Sequence, residues 1–139
     1  MKVTGFDGRE REWSLARKSA RHNKRKCSSL HKRTRAVLRE LFPRSTILEE
    51  VSLPGSATLT RSSTLFADFY VPSRKLIVEV HGRQHYEFNE FYHKTKRGFQ
   101  KSKARDRDKI RWCDLNEIDI VVLSHEGEDD EWKKAILNR

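Results

Sequence analysis

Leu65-Phe66-Ala67-Asp68-Phe69-Tyr70-Val71 and Leu76-Ile77-Val78-Glu79-Val80-His81 are two apolar runs joined by a short turn that opens with Pro72-Ser73-Arg74. Both are rich in β-branched and aromatic residues and are bounded by Pro or Gly, the signature of strands. With so short a connection they can only pair antiparallel, as a hairpin. Side chains alternate between the two faces of a strand. Leu76, Val78 and Val80 therefore share one face, and Ile77, Glu79 and His81 the other. Asp68 lies midway along the partner strand, among Leu65, Phe66, Phe69 and Tyr70. Two carboxylates thus fall on neighbouring, largely apolar strands. A buried carboxylate is costly unless it is paired or bound to a cation. Either acid alone reads equally well as an edge residue or half of an ion pair. Both in one hairpin, with a histidine two residues on, read as a reactive centre. Mg²⁺ or Mn²⁺ is the expected cofactor. Such an ion takes one or two protein carboxylates, keeps several waters and adds substrate phosphate oxygens. It activates water and stabilises charge on a scissile phosphate.

Outward from this hairpin the remaining elements follow. Leu30, Val37, Leu38, Leu41 and Phe42 recur at helical spacing from about residue 29, and Pro43 stops that helix. Residues 46–53 form a strand ended by Pro54-Gly55. A polar, aromatic-rich loop runs from Arg83 to about Thr95, with Tyr86, Phe88, Phe91 and Tyr92 available to stack on bases or to pack on the core. A long basic helix is expected over 97–116, a fourth strand over 118–123 and a last short helix over 129–137. The fold class is accordingly α/β (α+β): one domain, residues 29–139, with a mixed sheet. Ahead of it lies a basic extension, residues 1–28, made of a short hairpin around Asp7-Gly8 and an arm.

The 139 residues carry a formal net charge of +10, which points to a polyanionic partner, most commonly nucleic acid. Residues 16–35 hold nine Lys or Arg, two His and no acid. In this block Arg17, Lys18, Arg21, Lys24, Arg25 and Lys26 read either as a solvated tail or as a clamp on the DNA backbone. Arg83, Lys94, Lys96, Arg97, Lys101, Arg105 and Lys109 line a second candidate phosphate track. Phe99, Lys103, Asp106, Ile110 and Cys113 follow helical spacing, which puts Asp106 on the inward stripe. There it would hold His85 or an Arg in place, or simply pair with helical neighbours. Two cysteines far apart, Cys27 and Cys113, fit neither a zinc site nor a disulfide framework and suggest a reducing, cytoplasmic setting. No apolar run is long enough to span a membrane, and the N-terminus lacks the apolar core of a signal peptide.

The run Ala67-Asp68-Phe69-Tyr70, a turn, then Leu76-Ile77-Val78-Glu79-Val80-His81-Gly82-Arg83-Gln84-His85 resembles the PD-(D/E)xK nuclease superfamily. It is most similar to the branch holding very-short-patch-repair-like endonucleases and related small phage and bacterial nucleases. The resemblance covers residues 29–123 and implies an α-β-β-β-α-β, restriction-endonuclease-like core. It makes Asp68 and Glu79 metal-binding acids and the main-chain carbonyl of Val80 a further ligand. Gln84 and His85 would contact the scissile phosphate. His81 stands where the family usually has lysine, so it would act as a cation only when protonated, or would orient the attacking water. Many members carry another acid on the first helix. Here that stretch reads His31-Lys32-Arg33-Thr34-Arg35, which leaves Glu40, or Glu49 on the strand with Ile47, Val51 and Leu53, as open choices. The expected activity is a metal-dependent endonuclease hydrolysing DNA phosphodiester bonds, a nickase being one form of it. RNA is not excluded as a substrate, and a homodimer is left open. For a phage-encoded protein the setting would be the host cytoplasm. The alternative is a nuclease-fold protein, weak or inactive in catalysis, that binds DNA or RNA.

Overall fold

A computed structural model describes residues 1–15, 28–83, 86–87, 93 and 95–139. Two short strands, β1 (Lys2–Thr4) and β2 (Glu10–Glu12), pair as an antiparallel hairpin. After them come helix α1 (Ser29–Leu41), strands β3 (Leu48–Leu53), β4 (Leu65–Val71) and β5 (Leu76–His81), helix α2 (Lys96–Leu115), strand β6 (Asp119–Ser124) and helix α3 (Asp129–Leu137). The main sheet has the order β3-β4-β5-β6, with β3, β4 and β5 antiparallel and β6 parallel to β5. The parallel pair requires a crossover, and α2 supplies it. The chain is thus one α+β domain with three helices and a mixed sheet among the described residues. No helix among them is long and apolar enough to cross a membrane.

Local chemistry sets the helix limits. The Ser28 side chain accepts from the His31 amide at 3.1 Å and starts α1, and Pro43 bars its continuation. Thr95 Oγ1 accepts from the Gly98 amide at 3.0 Å and starts α2. At the far end of α2, Asn116 exchanges two hydrogen bonds with the backbone of Thr4, which locks the hairpin onto the helix.

The sheet buries both faces. Against one lie the hairpin and the C-terminal half of α2: Val3 and Trp13 join Leu48, Val51, Leu53, Tyr70, Ile77, Trp112 and Cys113. Trp13 stacks on Tyr70 at 4.5 Å between ring centroids and meets Trp112 edge-on at 5.2 Å. The hairpin therefore shares the core of the sheet, although its sequence groups it with the arm ahead of residue 29. Residues 16–27, with all the arm cations, lie outside the described residues. Against the other face α1 and α3 bring Val37, Leu38, Trp132 and Ile136 onto Phe69, Val71, Leu76, Val78 and Leu123. The two faces agree with the alternation expected along β5.

The alternation fails at one paired position on two strands: on β4, Leu65 and Ala67 sit in the hairpin-side cluster but Phe69 and Val71 in the other, so the change of face falls at Asp68, opposite Glu50 of β3. Glu50 has φ of 50°, the left-handed region, and the β3–β4 register omits the Glu50/Asp68 position. The chain shifts face there: Leu48, Val51 and Leu53 all sit in the hairpin-side cluster. Glu49 therefore does not share a face with Val51 and Leu53. It turns toward α1 instead.

Candidate functional site

β4 and β5 form a ladder only from Val71↔Leu76 to Phe69↔Val78. One step further, at Asp68 and Glu79, the strands part, and the amides that the ladder leaves are taken by the two side chains. Glu79 Oε2 accepts from the Asp68 amide at 2.6 Å, and Asp68 Oδ2 accepts from the Val80 amide at 3.0 Å. This reciprocal arrangement brings the two acids together at the mouth of the split and fixes both. Glu79 is 1% exposed, while Asp68 is half-buried. Asp68 Oδ1 has no hydrogen-bond partner among the described residues.

The other oxygen of Glu79 meets a group from a different element. Lys109 Nζ of α2 donates to Oε1 at 2.5 Å, with the lysine side chain itself only 16% exposed. Lys109 thus leaves the solvent-facing track on which its sequence places it and ends inside, against the carboxylates. The inward face of α2 is formed by Lys109, Trp112 and Cys113, and Ile110, expected to point inward, is exposed. Asp106, one turn before Lys109, does face the site. It approaches His81, with Nε2 to Oδ1 at 3.7 Å. His85 and Gln84, to which sequence reasoning gave roles, lie outside the described residues, as do Lys94 and the aromatics at 88, 91 and 92.

The electrostatics follow from burial. Desolvation pushes the Glu79 carboxyl up, the Asp68 charge pushes it further, and Lys109 only partly compensates, leaving it at about 7 rather than 4.5. The Lys109 ammonium is destabilised by its own burial, but Glu79 and Asp68 outweigh that and raise it. Burial and the nearby Glu79 push the Cys113 thiol up to about 12, so it stays protonated and inert. Asp68, Glu79 and Asp106 thus face one ammonium and one imidazole, a set with excess negative charge.

A test of stability against pH follows. The folded-state value of Glu79 lies above its unfolded one, so the folded protein prefers the protonated acid. That contribution is fully present below about pH 4.5 and is lost as pH rises through about 7. The metal-free protein should lose on the order of 3 kcal/mol from this group between those limits. The melting temperature of wild type minus that of Glu79→Gln, which cancels the histidine titrations, should fall steadily from pH 5 to pH 8. A flat difference would mean that Lys109 fully compensates the burial of Glu79.

The two candidates for a third acid lie elsewhere. Glu49 accepts from Arg35 Nε at 2.8 Å and Arg35 Nη2 at 2.7 Å, and pairs with His31 Nε2 at 2.6 Å, while His31 stacks on Phe69 at 4.4 Å. Although burial opposes ionisation, Arg35 and His31 hold its carboxyl below the usual range. Glu49 is therefore a clasp between α1 and β3. Glu40 forms an exposed pair with Lys133 at 2.9 Å. Among the described residues no group of three or more His, Cys, Asp or Glu is arranged to hold a metal ion.

Comparison with known proteins places the chain beside viral relatives. No family model matches it, and no solved structure matches it. It is 37% identical over 62 residues, 45% of its length, to the uncharacterized protein 307L of Invertebrate iridescent virus 6. It is 36% identical over 63 residues, again 45% of its length, to the uncharacterized protein 033L of Invertebrate iridescent virus 3. The matched stretch spans about a third (32%) of the length of each of these curated relatives.

Proposed function

We propose that this chain is a divalent-metal-dependent endonuclease that hydrolyses phosphodiester bonds in DNA. The observation that carries the reading is the meeting of Asp68 and Glu79 where β4 and β5 part, with Lys109 beside them. The order α1-β3-β4-β5-α2-β6 supports the resemblance to the PD-(D/E)xK superfamily and its restriction-endonuclease-like core.

A hard dication fits the donor set. The acids outnumber the cations facing them, burial and then the Asp68 charge raise Glu79 beyond what Lys109 offsets, and Asp68 keeps an oxygen free of the described residues. Asp68, Glu79 and the Val80 carbonyl would hold it, and Mg²⁺ or Mn²⁺ there would supply Lewis-acid polarisation of the phosphate and a more acidic water. Lys109 contributes the fixed cation that His81 cannot guarantee, set to steady negative charge growing on the phosphate. Asp106 faces the His81 ring, with Oδ1 3.7 Å from Nε2. The Asp68–Val80 and Glu79–Asp68 hydrogen bonds keep both carboxylates aimed before substrate arrives.

One observation favours a second reading. Lys109 and the Asp68 amide already satisfy both oxygens of Glu79, as expected of a nuclease-fold protein that only binds DNA or RNA. Nicking of supercoiled plasmid with Mg²⁺ or Mn²⁺ decides between them. The enzyme reading expects metal-dependent nicking by wild type, abolished by EDTA and by Asp68→Asn. Plasmid retardation without nicking in either metal supports the binding module, and full nicking by Asp68→Asn overturns the site.

A further inference from the structure

The two edges of the main sheet differ in how they are protected. β3, at one edge, carries Glu49 and Glu50 mid-strand, turns out of line where Glu50 takes φ of 50°, and gives its Ser52 carbonyl to Trp13 Nε1 at 3.0 Å. Charges, kinks and covering side chains are the devices that keep a sheet edge from recruiting another strand. β6, at the other edge, has none of them mid-strand. It reads Asp119-Ile120-Val121-Val122-Leu123-Ser124, with no Lys, Arg, Glu, Pro or Gly. Its one charge stands at the first residue, where Asp119 pairs with Arg139 at 3.2 Å.

The backbone of β6 shows what this edge offers. The Asp119 amide donates to the Lys75 carbonyl at 2.9 Å, and the His125 amide to the His81 carbonyl at 3.0 Å. Residues that face the neighbour alternate along a parallel ladder. Asp119, Val121, Leu123 and His125 therefore turn their N–H and C=O groups toward β5. Ile120 and Val122 turn theirs away, and these four groups have no partner among the described residues. Ser124 also faces outward, but its carbonyl already accepts from the Gly127 amide and Trp132 Nε1, each at 3.0 Å. The side chains match the backbone. Val122 is 39% exposed, and Ile120, on the same face, is only partly buried against the hairpin-side cluster.

We propose that a second copy of this chain pairs antiparallel along β6, with the two-fold axis at Val121, and joins the two sheets into one. A two-fold interface must be self-complementary, and this strand is: its two outward residues lie symmetrically about Val121. The register sets Ile120 opposite the partner's Val122 and Val122 opposite the partner's Ile120. Each facing pair exchanges two hydrogen bonds, as outward-facing residues of an antiparallel pair do. All four groups left open at the edge are thereby satisfied. The same pairing puts Ile against Val on one face and Val121 against the partner's Val121 on the other, β-branched pairs that suit a sheet. A register centred on Val122 would instead call on the Ser124 carbonyl, which is already occupied. The interface uses neither carboxylate, so it stands apart from the functional reading.

Sedimentation equilibrium of the full chain should show monomer and dimer exchanging with a micromolar dissociation constant, as a small interface allows. The dimer should tighten as salt rises, because each copy carries a net charge of +10. Association through bound nucleic acid would weaken with salt instead. Val122→Lys puts a charge on the open edge and should weaken the dimer roughly ten-fold or more, while melting like wild type at concentrations where both are monomers. Cysteine pairs fix the register, and they decide the matter if Val122→Lys does not fold. A mixture of Ile120→Cys and Val122→Cys proteins should form several-fold more disulfide-linked dimer than either protein alone, because facing positions lie within disulfide reach and like positions lie on a longer diagonal. A chain that stays monomeric up to about 100 μM at every salt concentration, a folded Val122→Lys protein that dimerises like wild type, or cross-linking by Val122→Cys alone that equals the mixture each overturns the proposal.

Discussion

Glu79→Gln should leave the protein folded and remove the proposed nuclease activity, whereas Glu79→Ala should lose both that activity and stability. With the Glu79 carboxyl raised to about 7, its charged and neutral forms are nearly balanced at neutral pH. A neutral isostere therefore forfeits little, within about 1 kcal/mol of wild type at pH 7, and should become the more stable variant at pH 8. Truncation to Ala is different. It leaves the Asp68 amide and the Lys109 ammonium without their acceptor and opens a hole under the sheet, a cost of about 2–4 kcal/mol. Both variants strip a charged oxygen from the proposed metal position. Nicking should fall at least about 100-fold, more than loss of a ligand's own hydrogen-bond partner usually costs. Thermal melts at pH 7 and 8 with plasmid nicking in Mn²⁺ measure the two effects separately. Wild-type nicking by a folded Glu79→Gln protein would remove Glu79 from the chemistry.

The hairpin at the centre of this site was legible because its signals are local. The Pro72 turn fixed the antiparallel pairing, and period-two alternation put Glu79 and His81 on the face of Ile77. What was not legible depends on distant contacts or on backbone geometry without a residue signature. Glu50 adopts φ of 50° although it is neither Gly nor Asn, and nothing in Leu48-Glu49-Glu50-Val51 announces the face change that sends Glu49 to Arg35 and His31. The stripe through Phe99, Lys103, Asp106, Ile110 and Cys113 takes the apolar Ile110 as its inward position, which leaves the adjacent Lys109 on the basic, solvent-facing track. Lys109 is buried because its charge ends on a carboxylate thirty residues earlier. A usable signal was present: Lys109 stands three residues before Trp112 and three after Asp106, on the side of the helix that any buried tryptophan must define. The packing of Trp13 on Tyr70 is likewise invisible locally, since the basic arm lies between the hairpin and the sheet in sequence.

Lys109→Met should damage activity more than stability. Removing one partner of a buried ion pair typically costs about 3–5 kcal/mol, because the remaining charge is stranded. Glu79 has an escape that most such residues lack: already poised near neutrality, it can take up a proton and sit uncharged beside the methionine. The penalty should therefore be small at pH 6 and grow toward pH 8, and Glu79→Gln/Lys109→Met should be less destabilised at pH 8 than the two single effects added together. The proposed catalysis has no such escape. Protonated Glu79 cannot serve a metal, and the phosphate loses its fixed cation. Nicking at pH 7 should drop on the order of 10²–10³-fold, as for other donors aimed at transition-state charge. The pH at which the residual activity is half-maximal should move upward, because Glu79 would then lose its proton only at higher pH. Lys109→Arg, which keeps the charge but not the shape, should recover part of the rate and the original pH profile. If Lys109→Met cuts plasmid at the wild-type rate with an unshifted pH profile, Lys109 is a structural counter-ion to Glu79 and takes no part in the reaction.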